Sequence, residues 1–216
     1  MPHISVAAVL FDLDGTLVDS TGSVERNWRK LSDGIGVPWP QVQPWIHGIP
    51  VPQVLARLRP DFTPEQVQQW RQFMIDGEAT DTGDVVPIPG ALTALDELPT
   101  NRWAIVTSGP RRLALARINA AGLPLPRHLV TADDVAVGKP DPAPFLLGAK
   151  TVGAEPAQCV AFEDSPAGVQ SARAAGMPVI ALTTTHPEIG ELGVPTITDL
   201  TQVEFSADRA GVVVSY

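Results

Sequence analysis

The stretch Val9-Leu10-Phe11-Asp12-Leu13-Asp14-Gly15-Thr16-Leu17 closes a short apolar run, Val6 to Phe11, with two carboxylates set one residue apart. A run this short and this rich in Val and Leu predicts a strand buried on both faces of a parallel sheet. In such sheets ligands sit beyond the carboxyl ends of the strands, which is where Asp12 and Asp14 fall. Gly15 lets the chain turn sharply there, because it has no Cβ to clash. Two carboxylates held this close resist joint ionisation unless a cation joins them or one keeps a proton. The first option points to Mg²⁺, a hard ion that takes carboxylate, carbonyl and water oxygens. The second leaves Asp14 able to act as an acid. An Asp-rich turn in which Asp14 caps a helix is the plain structural alternative for this string alone.

Three further clusters each close an apolar segment or lie beside one. Trp103-Ala104-Ile105-Val106 leads into Thr107-Ser108-Gly109, where hydroxyls and backbone N–H groups open the helical pattern Arg111 to Ala121. Such a helix start is either an anion site or a simple cap. Gly138-Lys139-Pro140-Asp141-Pro142 sets one lysine between a flexible residue and two prolines, in a chain whose other lysines are Lys30 and Lys150. That surrounding fixes where the ammonium points, although a lone loop lysine is ordinarily solvated. Cys159-Val160-Ala161-Phe162 runs into Glu163-Asp164-Ser165-Pro166-Ala167-Gly168, a second acidic pair at a strand end. This pair either completes the oxygen ligands of a Mg²⁺ site or caps the helix Ala167 to Ala175.

Taken together, Asp12-Leu13-Asp14-Gly15-Thr16, Thr107-Ser108, Lys139 and Glu163-Asp164 resemble the four ordered motifs of the haloacid dehalogenase superfamily, in its phosphatase branch. The match spans Val6 to about Leu182 in order, strand context and residue type. His47-Gly48, the strings around Thr107, Lys139 and Glu163, and the tail Thr183-Thr184-Thr185-His186 are most similar to sugar-phosphate and polyol-phosphate phosphatases of the glycerol-3-phosphatase and 2-deoxyglucose-6-phosphatase type. The resemblance implies that Asp12 is the nucleophile and forms an aspartyl-phosphate, and that Asp14 is the acid and then the base. It also implies that Thr107, Ser108 and Lys139 hold the transferring oxygens. Mg²⁺ would be bound by Asp12, the Asp14 carbonyl and Asp164, with Glu163 nearby. Asp14 argues against the dehalogenase chemistry of the superfamily, which lacks an acid at that position. Beta-phosphoglucomutase is the alternative, weakened because it commonly carries Val where Thr16 stands, His where Val24 stands, and Arg where this chain has Ile49-Pro50-Val51. A phospho-receiver module shares the acidic cluster, the hydroxyl and the lysine, but the acid at Asp14 favours turnover over a stored signal.

Between Leu17 and about Val85 the strand-and-helix alternation gives way to helical segments, read as a helical cap over residues 18–85 inserted into an α/β core of 1–17 and 86–216. Val24, Trp28, Leu31 and Ile35 recur at helical spacing until Gly36 and Pro38, which makes Trp28 a core residue. Pro52 to Leu58 predicts another helix. Thr63-Pro64-Glu65-Gln66 has the spacing of a capping box, opening a helix over Thr63 to Met74. The acidic, glycine-containing stretch Asp76 to Asp84 reads as the return linker, with hinges near Val18-Asp19 and Asp84-Pro87. Beyond it, strands alternating with helices predict a doubly wound parallel sheet, Rossmann-like, with Val212 to Val214 as an added edge strand.

A chain of 216 residues with a net charge of −9 is long enough for such a core and lacks the basic surface that nucleic acid requires. No apolar stretch approaches a membrane span, and no secretory signal is visible. The single cysteine, Cys159, fits a reducing cytoplasm and reads as a packing residue. The expectation is therefore a cytoplasmic monomer acting on a small phosphorylated metabolite, with no nucleic acid or membrane as partner. The scarcity of cap cations favours monophosphorylated sugars or polyols, read out by the loop Pro44 to Gln53 with Trp45, His47 and Gln53; His47 is more often a packing residue than a specificity residue.

Overall fold

The computed structural model describes residues 2–46, 49–208 and 210–216. Its centre is a parallel sheet that has six strands among the described residues, in the order β6-β5-β2-β7-β8-β9. These are β2 (Ala8–Phe11), β5 (Trp103–Val106), β6 (Leu129–Val130), β7 (Cys159–Glu163), β8 (Val179–Leu182) and β9 (Thr196–Ile197). Alternation along the central strands sorts side chains into two cores. Val9, Phe11, Trp103, Ile105, Val160 and Phe162 pack on one face with α5 (Ala91–Glu97) and α6 (Arg111–Ala120). Ala8, Leu10, Ala104, Val106, Cys159 and Ala161 pack on the other with α7 (Ala143–Val152) and α8 (Pro166–Ala174). Both faces of each central strand are covered, which is why these strands are continuous apolar runs rather than half-polar ones.

The expected strand Val6 to Phe11 is in fact two. β1 (His3–Val6) ends before Ala7, and β2 begins after it. β1 pairs antiparallel with β11 (Val212–Ser215), which also pairs with β10 (Glu204–Ala207) in a separate three-stranded sheet. Val212 to Val214 is thus the middle of a second sheet and not an edge of the first. Val6, Phe205, Val212 and Val214 join the core on the α5/α6 face, so this small sheet covers apolar surface that the helices leave open.

The segment between the first and second parts of the sheet begins and ends in a short antiparallel pair, β3 (Val18–Asp19) with β4 (Val86–Pro87), at the two positions read as hinges. Between them run α1 (Thr21–Ile35), α2 (Trp39–Val42), α3 (Val51–Leu58) and α4 (Pro64–Thr80). Trp28, Leu31, Ile35, Val54, Leu55 and Met74 form a third apolar cluster confined to this segment. The α1 helix stops at Gly36, whose φ of 68° is left-handed, as its position after Ile35 predicts. The capping box is present: Thr63 accepts from the Gln66 N–H, and Gln66 accepts from the Thr63 N–H.

α4 continues to Thr80, through residues expected to be linker. Gly77 explains the difference. A Cβ there would lie 2.5 Å from Asn27 Oδ1, so the glycine that reads as a helix breaker instead allows α4 to press against α1. No helix among the described residues is long and apolar enough to cross a membrane.

Candidate active site

Parallel register brings the strand ends together. Phe11 stands opposite Ile105 and Phe162, and the Asp12 N–H donates to the Phe162 carbonyl at 2.9 Å. Asp12, Thr107, Glu163 and Asp164 therefore emerge side by side from β2, β5 and β7, and all four are buried. Lys139 reaches them from the loop after β6. Its ammonium donates to Asp12 Oδ1 at 2.5 Å, to Glu163 Oε1 at 2.5 Å and to the Val106 carbonyl at 2.8 Å. An ammonium has three N–H groups, and all three are engaged. Lys139 accordingly grips the Asp12 carboxylate itself.

Glu163 is fully buried and doubly held. Its second oxygen accepts from the Asp164 and Ser165 N–H groups and from the Ser165 hydroxyl. A Cβ on Gly168 would lie within 1.7 Å of Glu163 Oε1, so the start of α8 can approach this carboxylate only as glycine. Gly15 plays the same part opposite: its φ is +83°, and a Cβ there would fall 2.1 Å from Asp164 Oδ2. The Thr185 hydroxyl donates to that same oxygen, and His186 Nδ1 lies 3.2 Å from the Asp164 carbonyl. The tail motif Thr183 to His186 thereby meets the second acidic pair.

Ligand oxygens of Asp12, Glu163 and Asp164 all lie within 4.8 Å of one another. Three carboxyl groups share this buried cluster with one ammonium. Burial pushes the Asp12 carboxyl well above its ordinary range, against the pull of Lys139. Burial and the neighbouring Glu163 carry Asp164 up to about 8. The Asp12 and Glu163 carboxylates hold Lys139 above its usual value despite burial. A site that raises its own carboxyls in this way, with an all-oxygen donor set, fits a hard divalent cation. The side chain of Asp14 lies outside this cluster; the expectation for it as a ligand concerned its carbonyl.

Asp14 is turned elsewhere. Its Oδ1 accepts from the Ser20 hydroxyl at 2.8 Å and its Oδ2 from Arg117 Nη1 at 2.7 Å, with about a quarter of the side chain exposed. Ser20, which precedes α1, makes no side-chain cap bond to that helix and serves Asp14 instead. Thr107 Oγ1 accepts from the Gly109 N–H at 3.0 Å, which arranges the turn at the start of α6, and Ser108 stands exposed beside it. Asp12, Asp14, Thr107, Ser108, Lys139 and Asp164 all line one pocket of about 250 Å³. Its other wall comes from α1, α3, α4, Ile46 and residues 49–52, including Val24, Trp28, Ile49, Val51 and Met74. Trp28 is buried in its apolar cluster, as expected, and also faces this pocket. His47 lies outside the described residues, and Trp45 and Gln53 are not in the lining. Lys30 is exposed, while Arg71 lines the pocket and was not anticipated.

Sequence reasoning also missed Arg117 and Glu78. Arg117 donates to Glu78 as well as to Asp14, and both side chains are buried. One signal was available: Leu113, Ala114, Arg117 and Ile118 form the buried stripe of α6, so an arginine occupies an apolar position. Glu78 gave no such signal, since Asp76 to Asp84 resembles a solvated linker.

The model of the haloacid dehalogenase-like hydrolases matches residues 6–176. Among curated proteins, hexitol phosphatase A of Escherichia coli is 42% identical over 175 residues, covering 80% of this chain and 81% of its own. Glycerol-1-phosphate phosphohydrolase 2 of Saccharomyces cerevisiae is 32% identical, covering 84% of this chain and 76% of its own. Among solved structures, a hydrolase from Pseudomonas syringae is 27% identical, with a TM-score of 0.80 over 91% of this chain and 94% of that one.

Proposed function

The chain belongs to the haloacid dehalogenase-like hydrolase family, and we propose that it is a Mg²⁺-dependent phosphatase of small sugar or polyol monophosphates, working through an aspartyl-phosphate. The observation that carries this reading is the separation of Asp12 from Asp14. One carboxylate is locked to Lys139 among the strand ends, the other is held by Ser20 and Arg117, and both open into one pocket. Names of relatives such as hexitol phosphatase A and glycerol-1-phosphate phosphohydrolase 2 support the substrate class.

In this reading residues 18–85 are the cap over a core of 1–17 and 86–216. A carboxylate oxygen of Asp12 attacks phosphorus in line; the P–O bond to the leaving group breaks as Asp14 gives that oxygen a proton. Asp14, now a carboxylate, takes a proton from water, which attacks phosphorus and releases inorganic phosphate and the free Asp12 carboxylate. Thr107, Ser108 and the N–H groups opening α6 receive the transferring oxygens, preorganised where charge shifts in the transition state. Lys139 orients Asp12 and tempers its charge. Asp12 and Asp164, with Glu163 behind them and the Asp14 carbonyl, would hold Mg²⁺, which supplies charge neutralisation that lets an anion approach a phosphate. The cap wall is mostly apolar and excludes bulk water from the intermediate.

Phosphate release from sugar, polyol and nucleotide monophosphates, measured with Mg²⁺ and with chelator, tests this directly. Mg²⁺-dependent release from a few sugar or polyol phosphates is the expected result. No release, with an isomerised hexose phosphate in its place, would replace the phosphatase by a mutase.

A further inference from the structure

We propose that Arg117 and Glu78 are positioning residues through which the cap sets the orientation of Asp14; the inference rests on the phosphatase reading, with Asp14 as proton donor. The Arg117 guanidinium is 5% exposed at its side chain and spans two carboxylates, donating through Nη1 to Asp14 Oδ2 and through Nη2 to Glu78 Oε2. The three come from distant parts of the chain. Asp14 follows β2, Arg117 lies on α6 of the core, and Glu78 lies near the end of α4 in the cap. Arg117 Nε has no acceptor among the described residues, so these two carboxylates are what hold the charge in place.

A buried guanidinium is stable only while its partners remain, since an uncompensated charge at such a site is strongly disfavoured. Cap contact therefore supplies half of what fixes Arg117, and Arg117 in turn fixes one oxygen of Asp14. The other oxygen is fixed by Ser20, which sits between β3 and α1 at the first hinge. Both donors on the acid thus depend on the placement of the cap, one directly and one through Glu78. Nothing equivalent holds for Asp12, whose partner Lys139 belongs to the core. Seating of the cap completes the acid, while the nucleophile is built without it.

The rival role for the pair is a polar patch that receives substrate hydroxyls, and the experiment separates the two. Glu78→Gln, which preserves shape, and Arg117→Lys, which preserves charge, are compared with wild type on phenyl phosphate and p-nitrophenyl phosphate, with a polyol phosphate alongside. The aryl substrates carry no hydroxyls and differ in how much their leaving oxygen needs a proton. kcat/KM covers the steps up to formation of the aspartyl-phosphate. If the pair positions the acid, kcat/KM falls about 10-fold or more further on phenyl phosphate than on p-nitrophenyl phosphate. Equal losses on the two aryl esters overturn the inference, whether or not the polyol phosphate suffers more, because a structural or hydroxyl-binding role ignores leaving-group basicity. A wild type that releases phosphate from none of the three would instead overturn the phosphatase reading.

Discussion

The floor and the roof of the pocket are made of opposite materials. On the floor, Asp12, Glu163, Asp164 and Lys139 crowd into a buried charged cluster at the ends of β2 and β7, each held by backbone groups or by one another. On the roof, Val24, Trp28, Ile49 and Met74 present apolar surface, and Arg71 and the buried Glu78 also line the pocket. The floor is costly to assemble, because burial and the neighbouring carboxyls drive Asp12 and Asp164 away from their ionised forms. The roof is held by an apolar cluster of its own. In the proposed reading the core carries the chemistry and the apolar part of the cap chooses the leaving group, with Arg117 and Glu78 as the crossing point.

The contrast can be broken most severely at Asp12. Asp12→Asn keeps the volume and removes the nucleophile, so turnover is expected to fall by about 10⁴-fold or more while the circular dichroism spectrum is unchanged. Near-normal turnover in this variant would remove the floor from the mechanism. Next comes Lys139→Met, which leaves Asp12 and Glu163 facing each other without the ammonium. Turnover is expected to drop by about 10²- to 10³-fold. Losing one partner of a buried ionic cluster costs about 3–5 kcal/mol, so thermal denaturation should show a lower Tm. An unchanged Tm would mean that the cluster is less tightly built than its distances indicate. The smallest effect belongs to the roof. Ile49→Ala is expected to shift the ratio of kcat/KM between a hexitol phosphate and glycerol phosphate by about 10-fold or less, the scale of a few methylenes in an apolar pocket. Steady-state kinetics that instead show a loss as large as that at Lys139 would place the roof within the chemistry.

Local pattern accounts for much of this molecule. The apolar runs ending at Phe11, Val106 and Phe162 carry a strand's length and composition, and the polar residues after them are where a parallel sheet puts its ligands. Thr63-Pro64-Glu65-Gln66 announces the start of α4 by chemistry confined to four residues, and Gly36 announces the end of α1. Where the reading faltered, the deciding contact lay far away in the chain. Val6 leaves the main sheet because Val212 pairs with it, and Ala7 turns to donate to the Gln158 carbonyl. α4 runs on past Asp76 because Gly77 meets Asn27 of α1.

By itself the sequence determined the doubly wound sheet, the helical character of the inserted segment, and the residues Asp12, Asp14, Thr107, Ser108, Lys139, Glu163 and Asp164 as candidates for one centre. Period, caps and strand-end chemistry are properties of neighbouring residues, so they can be read in order along the chain. Only the tertiary structure decided that Lys139 grips Asp12, that Asp14 turns away toward Ser20 and Arg117, and that Glu78 meets Arg117 across 39 residues. A periodic pattern shows that a helix face is buried but not what it is buried against. Which charges meet at a buried crossing is settled when α4 packs on α6, where an ion left without its partner would be too costly to keep.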